Sequence, residues 1–167
     1  MSYQLEFPVA FHTVDCAITK KVNEEIYILL GQKRKETESG KFRFPGGFID
    51  PYKDYYSKDG IKLKSIGDAT AEDAALREAK EECGNNLELD YPKYICSHFI
   101  DDERYKNSDH SILTTFFQIG YLWGQVKASD DLAKVEWFKL NEDLFQIINP
   151  IHQTLLQQLL FKIKMIK

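Results

Sequence analysis

Cysteine is scarce in this chain: Cys16, Cys83 and Cys96 are odd in number and widely spaced, with no Cys-x-x-Cys pair. That argues against a disulfide framework and a cysteine-based zinc site, and it suits a reducing cytosol. Basic residues are not in excess either. Twenty-two Lys and Arg stand against 26 Asp and Glu, a net charge of −4 with a pI near 5.6. No general electrostatic attraction to nucleic acid follows, and a phosphorylated substrate would need a local cation, from a metal or an arginine. No apolar run approaches a membrane span, residues 1–15 lack an apolar signal core, and neither repeats nor low-complexity stretches appear. What is there is ordinary for a folded protein: 167 residues, 43% hydrophobic and 29% charged. The expectation is a single cytoplasmic globular domain over residues 1–167, without nucleic-acid or membrane partners.

Residues 11–19 and 26–30 are β-branched and aromatic and read as strands around a charged turn at 20–25. A basic loop at 32–41 leads to a short strand broken by Pro45-Gly46-Gly47. Residues 51–66, rich in Tyr, Lys, Asp and Gly, have no period and read as an inserted loop with a small hairpin. The strongest helix signal is 70–83: Thr70 caps it, Asp73 follows three residues on, and Gly84 stops it. Ala71, Ala74, Ala75 and Ala79 give that helix a small-residue face for packing on a sheet. Strands are predicted at 94–100, 112–121 and 135–139, and a second helix at 150–165. Strands flanking a mid-chain helix and ending in another predict a sandwich with a mixed sheet, not a βαβ repeat.

The chemistry concentrates on the first helix. Glu78, Glu81 and Glu82 stand at i, i+3 and i+4, so their carboxylates leave one face within one turn. Like charges this close repel, and a hard cation such as Mg²⁺ or Mn²⁺ converts the repulsion into binding. Arg77 can pair with Glu81 at i+4 or reach a substrate phosphate. Surface helices of this composition are common, so taken alone the run reads first as an acidic solvated face. Gly46-Gly47 adds a turn where backbone can approach a ligand or metal without a Cβ in the way.

Together with Gly67-Asp68, these segments resemble the box of the Nudix hydrolase family, Gly-x5-Glu-x7-Arg-Glu-U-x-Glu-Glu-x-Gly-U, in which U is apolar. The second half matches fully from Arg77 to Gly84. The first half departs: residues 51–66 intervene, and the acid is Asp68, nine residues before Arg77, with Ala69 at the usual position. Asn85 stands where the box ends in an apolar residue. In the family that first acid supports the loop while the later carboxylates hold metal, so the departures bear on loop geometry more than on catalysis. The entry strands, Phe44 to Asp50, and the stretch from Asp130 to Phe138 are also similar to Nudix proteins.

The resemblance implies an α+β fold, an α/β/α sandwich with a mixed central sheet. It also implies a Mg²⁺- or Mn²⁺-dependent pyrophosphohydrolase. Glu78, Glu81, Glu82 and a backbone carbonyl at Gly47 would hold metal, and Glu78, Glu81 or Asp131 would take the proton from water. Asp130 and Asp131 read equally as a polar turn opening a strand. Residues 101–117 look similar to the segment after the box in ADP-ribose-type members, which makes ADP-ribose the leading substrate, cut to AMP and ribose 5-phosphate. Arg77, Gly46, Arg104 and Tyr105 are the expected substrate contacts, Arg104 on a phosphate and Tyr105 stacked on a base. Other nucleotides (dinucleoside polyphosphates, NADH, damaged nucleotides) and a non-catalytic ADP-ribose sensor are the alternatives. The insertion is expected to cover the substrate or to contact a second subunit, so a homodimer is compatible with the sequence.

Overall fold

A computed structural model describes residues 10–34, 40–51, 55–56, 59–63, 67–101 and 111–165. Strands β1 (Ala10–Val22) and β2 (Glu25–Lys33) form a hairpin, closed by Asn23 and Glu24, both at positive φ. β3 (Gly46–Phe48), β4 (Tyr55–Tyr56) and β5 (Lys62–Leu63) precede helix α1 (Ala71–Cys83). Then come β6 (Glu88–Leu89), β7 (Lys93–Ile100), β8 (Ser111–Trp123), β9 (Leu132–Lys139) and helix α2 (Gln153–Met165). Short 3-10 segments at Glu142–Gln146 and Pro150–His152 lead into α2.

The main sheet runs β6-β8-β1-β2-β9, with β3 added to β1 and β7 added to β8. β1 and β8 are parallel over ten residue pairs, whereas β1–β2, β1–β3, β2–β9, β6–β8 and β7–β8 are antiparallel, so the sheet is mixed. β1 changes neighbours along its length: residues 13–15 pair with β3, whereas residues 18–22 pair with β2. The strand edges therefore part in the middle of β1, and the site described below sits at that parting.

Alternation along β1 decides which helix covers which face. Val14, Cys16 and Ile18 enter one core with Ala74, Ala75 and Ala79 of α1. Ala17 enters a second core with Phe44, Phe116 and Leu155, Leu156 and Leu159 of α2. The alanine face lets α1 lie close on the sheet, and the leucine face of α2 fills the wider space opposite. The result is the α/β/α sandwich that the sequence predicts. Leu87, fully buried, supplies the apolar contact after α1, while Asn85 is exposed. The predicted hairpin within 51–66 is present as β4 and β5.

Candidate active site

Helix α1 begins and ends as its sequence dictates. The Thr70 hydroxyl accepts from the Asp73 N–H at 3.1 Å, and the Gly84 N–H donates to Lys80 O at 2.9 Å. Gly84 adopts a φ of 134°, and a Cβ there would lie 2.6 Å from the Gln125 carbonyl. With the ends fixed, Glu78 and Glu82 point under the β3 turn and are buried, whereas Glu81 is about half exposed.

Two further anchors build the site. The Gly46 N–H donates to Glu82 Oε2 at 2.8 Å, tying the glycine turn to the helix. A Cβ on Gly47 would lie 2.5 Å from Glu78 Oε1, so only glycine leaves that carboxylate its place. On the far side, the last carbonyls of α1 lack helical partners and take them from the loop before β9. Lys127 N–H donates to Cys83 O at 2.8 Å, Ser129 N–H to Glu82 O at 3.0 Å, and the Ser129 hydroxyl to Glu81 O. Asp130 then turns at a positive φ of 51°. As a result one carboxylate oxygen each of Glu82, Asp130 and Asp131 lies within 4.8 Å of the others.

Electrostatics follow from burial. Glu82 is pushed up to about 9, by burial first and then by its hydrogen bond with Asp131. Burial also raises Glu78, against the pull of Arg77. Asp131 is held below its ordinary value: burial opposes this, but Lys33, at 2.6 Å, and the bond with Glu82 prevail. An all-oxygen set of closely spaced carboxylates, one of them burdened by burial, fits a hard divalent cation.

Arg77 does not face this cleft. Its Nε and Nη2 grip Asp68 at 3.0 and 2.7 Å, Nη1 reaches Glu78 and Glu81 at 2.8 and 3.0 Å, and Nη2 also donates to Phe48 O at 3.0 Å. All five of its N–H donors are thereby committed to protein acceptors, which leaves none for the phosphate contact expected from the sequence. Asp68 in turn accepts from the Asp50 N–H at 2.7 Å and donates its own N–H to Asp50 O at 3.2 Å. The insertion is thus clasped at its base. Glu81, held by Arg77, does not line the cleft, so the three helix carboxylates do not converge as one group.

The cleft has a volume of about 360 Å³. Glu78, Glu82, Asp130, Asp131, Gly46 and Gly47 are among the residues that line it. Its walls also contain Lys33, Arg43, Asp15 and His152, none of which the sequence singled out. They come from four separate segments and carry no shared motif; only the fold collects them. Arg104 and Tyr105 lie outside the described residues, as do the side chains of Tyr52, Tyr55 and Tyr56.

Residues 11–159 match the sequence profile of the family described as NUDIX domain. No curated protein sequence matches the chain significantly. Among solved structures, the NUDIX domain of Shewanella oneidensis NrtR, complexed with ADP ribose, superposes with a TM-score of 0.64 at 16% identity. That match covers 94% of this chain and 90% of the other. A Caenorhabditis elegans Ap4A hydrolase in a binary complex gives 0.62 at 18% identity, covering 93% and 98%. A bifunctional NMN adenylyltransferase/ADP ribose pyrophosphatase from Francisella tularensis, complexed with AMP and a Mn ion, gives 0.54 at 20% identity, covering 95% of this chain and 43% of that one. At these identities the likeness is one of fold.

Proposed function

The chain belongs to the Nudix family, and from that premise we propose that it is a divalent-metal-dependent pyrophosphohydrolase, with ADP-ribose its leading substrate. The observation that carries the reading is the convergence of Glu78, Glu82, Asp130 and Asp131 beside Gly46-Gly47, in a cleft that also holds Lys33 and Arg43. Acidic residues alone would repel a diphosphate. A hard cation held among them, with two basic side chains nearby, reverses the sign of the field.

Glu78, Glu82, Asp131 and the Gly47 carbonyl are the groups assigned to hold Mg²⁺ or Mn²⁺, with Glu81 reaching it only if Arg77 releases it. Such an ion supplies charge neutralisation on the diphosphate and lowers the pKa of a water bound to it. The chain's own residues do the rest. Arg77 orients Glu78 from behind. Lys33 holds Asp131 ionised, and the Gly46 N–H fixes the direction of Glu82. Of the three expected proton acceptors, Glu78 and Asp131 line the cleft and Glu81 does not, which favours the first two. The ADP-ribose preference is supported by the likeness of residues 101–117 to ADP-ribose-type members.

A substrate panel with Mg²⁺, read as phosphate release after phosphatase coupling, tests the proposal. ADP-ribose should give the highest kcat/KM, and Arg104→Ala should lower it. A triphosphate or dinucleoside polyphosphate faster by tenfold would overturn the substrate assignment. No turnover of any nucleotide would overturn the enzyme.

A further inference from the structure

Lys33 ends β2 at an irregularity of the sheet. Gln32 pairs with Lys134 of β9, but Lys33 pairs with Leu132, so the register slips past Ala133. A slip of this kind bends the strand and re-aims its side chain. Here it is fixed by the Arg34 N–H, which donates to Asp131 O at 3.1 Å. The Lys33 ammonium is thereby brought to Asp131 Oδ2 at 2.6 Å, with the lysine side chain 21% exposed and the aspartate's 49%. Its charge also favours the ionised forms of Glu82 and Asp15, so one lysine serves several carboxylates.

That contact competes with a divalent cation for Asp131. A hard cation held among Glu82, Asp130 and Asp131 takes the carboxylate that the ammonium holds, and two positive charges then meet at one carboxyl group. Lys33 is able to withdraw, because its four-carbon stem is flexible and its ammonium is a point charge with no fixed direction of approach. Arg43 has less latitude: it is 8% exposed, and its backbone N–H and carbonyl are both bonded to Gly31, at 2.8 and 2.9 Å. Both basic side chains line the same cleft, so a diphosphate bound there puts anionic oxygens within the sweep of the lysine stem.

We propose that Lys33 couples metal binding to substrate binding: it occupies Asp131 until a divalent cation takes that carboxylate, and it then moves to the diphosphate. The inference deepens the hydrolase reading and rests on it for the identity of the ligand as a diphosphate. Metal alone binds against the lysine, and a diphosphate alone must draw the lysine off Asp131. The two together leave every charge with a partner, so each strengthens the binding of the other. A Lys33 that merely tied β2 to the loop before β9 would, when removed, weaken both.

Lys33→Met keeps the stem and removes the charge. Calorimetry should show the variant binding Mn²⁺ alone at least about fivefold more tightly than wild type, since a competing cation is gone. In saturating Mn²⁺ it should bind α,β-methylene-ADP, whose bridge resists cleavage, at least about tenfold more weakly, the worth of a hydrogen bond between charged groups. A Mn²⁺ affinity unchanged or weakened in Lys33→Met overturns the proposal, and so does an analogue affinity equal in the two proteins. Should circular dichroism show the variant unfolded, labelling of wild type with an amine-reactive ester, mapped by mass spectrometry, decides the matter. Lys33 should react slowly in EDTA, faster in Mn²⁺, and slowly again once the analogue joins Mn²⁺. A labelling rate that Mn²⁺ leaves unchanged overturns the exchange. Opposite shifts of the two affinities with no turnover of any nucleotide would keep Lys33 in its role and reject the hydrolase. Turnover with a parallel loss of both affinities would do the reverse.

Discussion

Arg77 and Asp68 meet side-on, the guanidinium Nε on Oδ1 at 3.0 Å and Nη2 on Oδ2 at 2.7 Å. This two-point contact joins the first half of the box to the second despite the residues inserted between them. It holds Asp68 below its ordinary value, since Arg77 and the Asp50 N–H outweigh burial, and it raises Arg77. Asp68 therefore contributes stability above its unfolded value of 3.8, and the contribution is lost as pH falls through the lower folded value. Asp68→Asn should cost about 2 kcal/mol at pH 7, and the loss relative to wild type should shrink on acidification. Urea denaturation of both proteins at pH 7 and pH 3 measures it. An equal loss at both pH values would mean that the pair does not act through its charge.

Glu82 gives the opposite sign. Burial, and then the bond with Asp131, move it from 4.5 to about 9, so the folded protein binds this proton more tightly than the unfolded one. The stability that the proton lends is complete below the unfolded value and is lost as pH rises toward 9. In EDTA, Glu82→Gln should melt higher than wild type at pH 8 and nearly level with it at pH 5. In Mg²⁺ the variant should lose the metal-dependent rise in Tm and at least about 100-fold in activity. Near wild-type turnover at limiting Mg²⁺ would remove Glu82 from the metal site.

The two turn glycines should fail differently. A Cβ on Gly46 would sit 2.1 Å from the Val14 carbonyl, which is sheet backbone and cannot move, so Gly46→Ala should destabilise the fold by about 3 kcal/mol. The three atoms nearest a Cβ on Gly47 all belong to the Glu78 carboxylate, a side-chain end that can swing aside. Gly47→Ala should therefore stay folded and lose activity. Thermal melts beside initial rates distinguish the two, and a stable, active Gly46→Ala protein would contradict the assigned contact.

Replacing residues 52–65 by a short Gly-Ser linker should leave Mg²⁺ affinity unchanged, because the Asp50–Asp68 clasp remains to close the base of the insertion. If the insertion helps to hold the substrate, KM should rise more than kcat falls. Unaltered kinetics in a folded variant would make it surface decoration.

What was legible in the sequence was local. The Thr70 cap, the Gly84 stop and the alanine face fix α1 within a few residues of one another, so its bounds and its buried side could be read directly. Asp68 could be assigned as loop support despite its shifted spacing, since nearby chain can reach Arg77 from either register. For Arg77 the sequence offers both a Glu81 partner and a phosphate, because it shows a guanidinium but not the five acceptors around it. Asp15, Lys33, Arg43 and His152 were invisible for a related reason. Each is an unremarkable polar residue in its own strand or turn, and only the parting of β1's neighbours brings them to one cleft.

The loop at residues 127–129 completes the acidic trio by capping the carbonyls of α1's last turn. The helix end and that loop therefore stand or fall together: neither the final turn nor Asp130 and Asp131 can be in place if the other has frayed. Partial opening at this seam would scatter the carboxylates while both hydrophobic cores stayed intact. Turnover is accordingly a stricter gauge of the native state than helicity, and on warming it should disappear before the circular dichroism signal does.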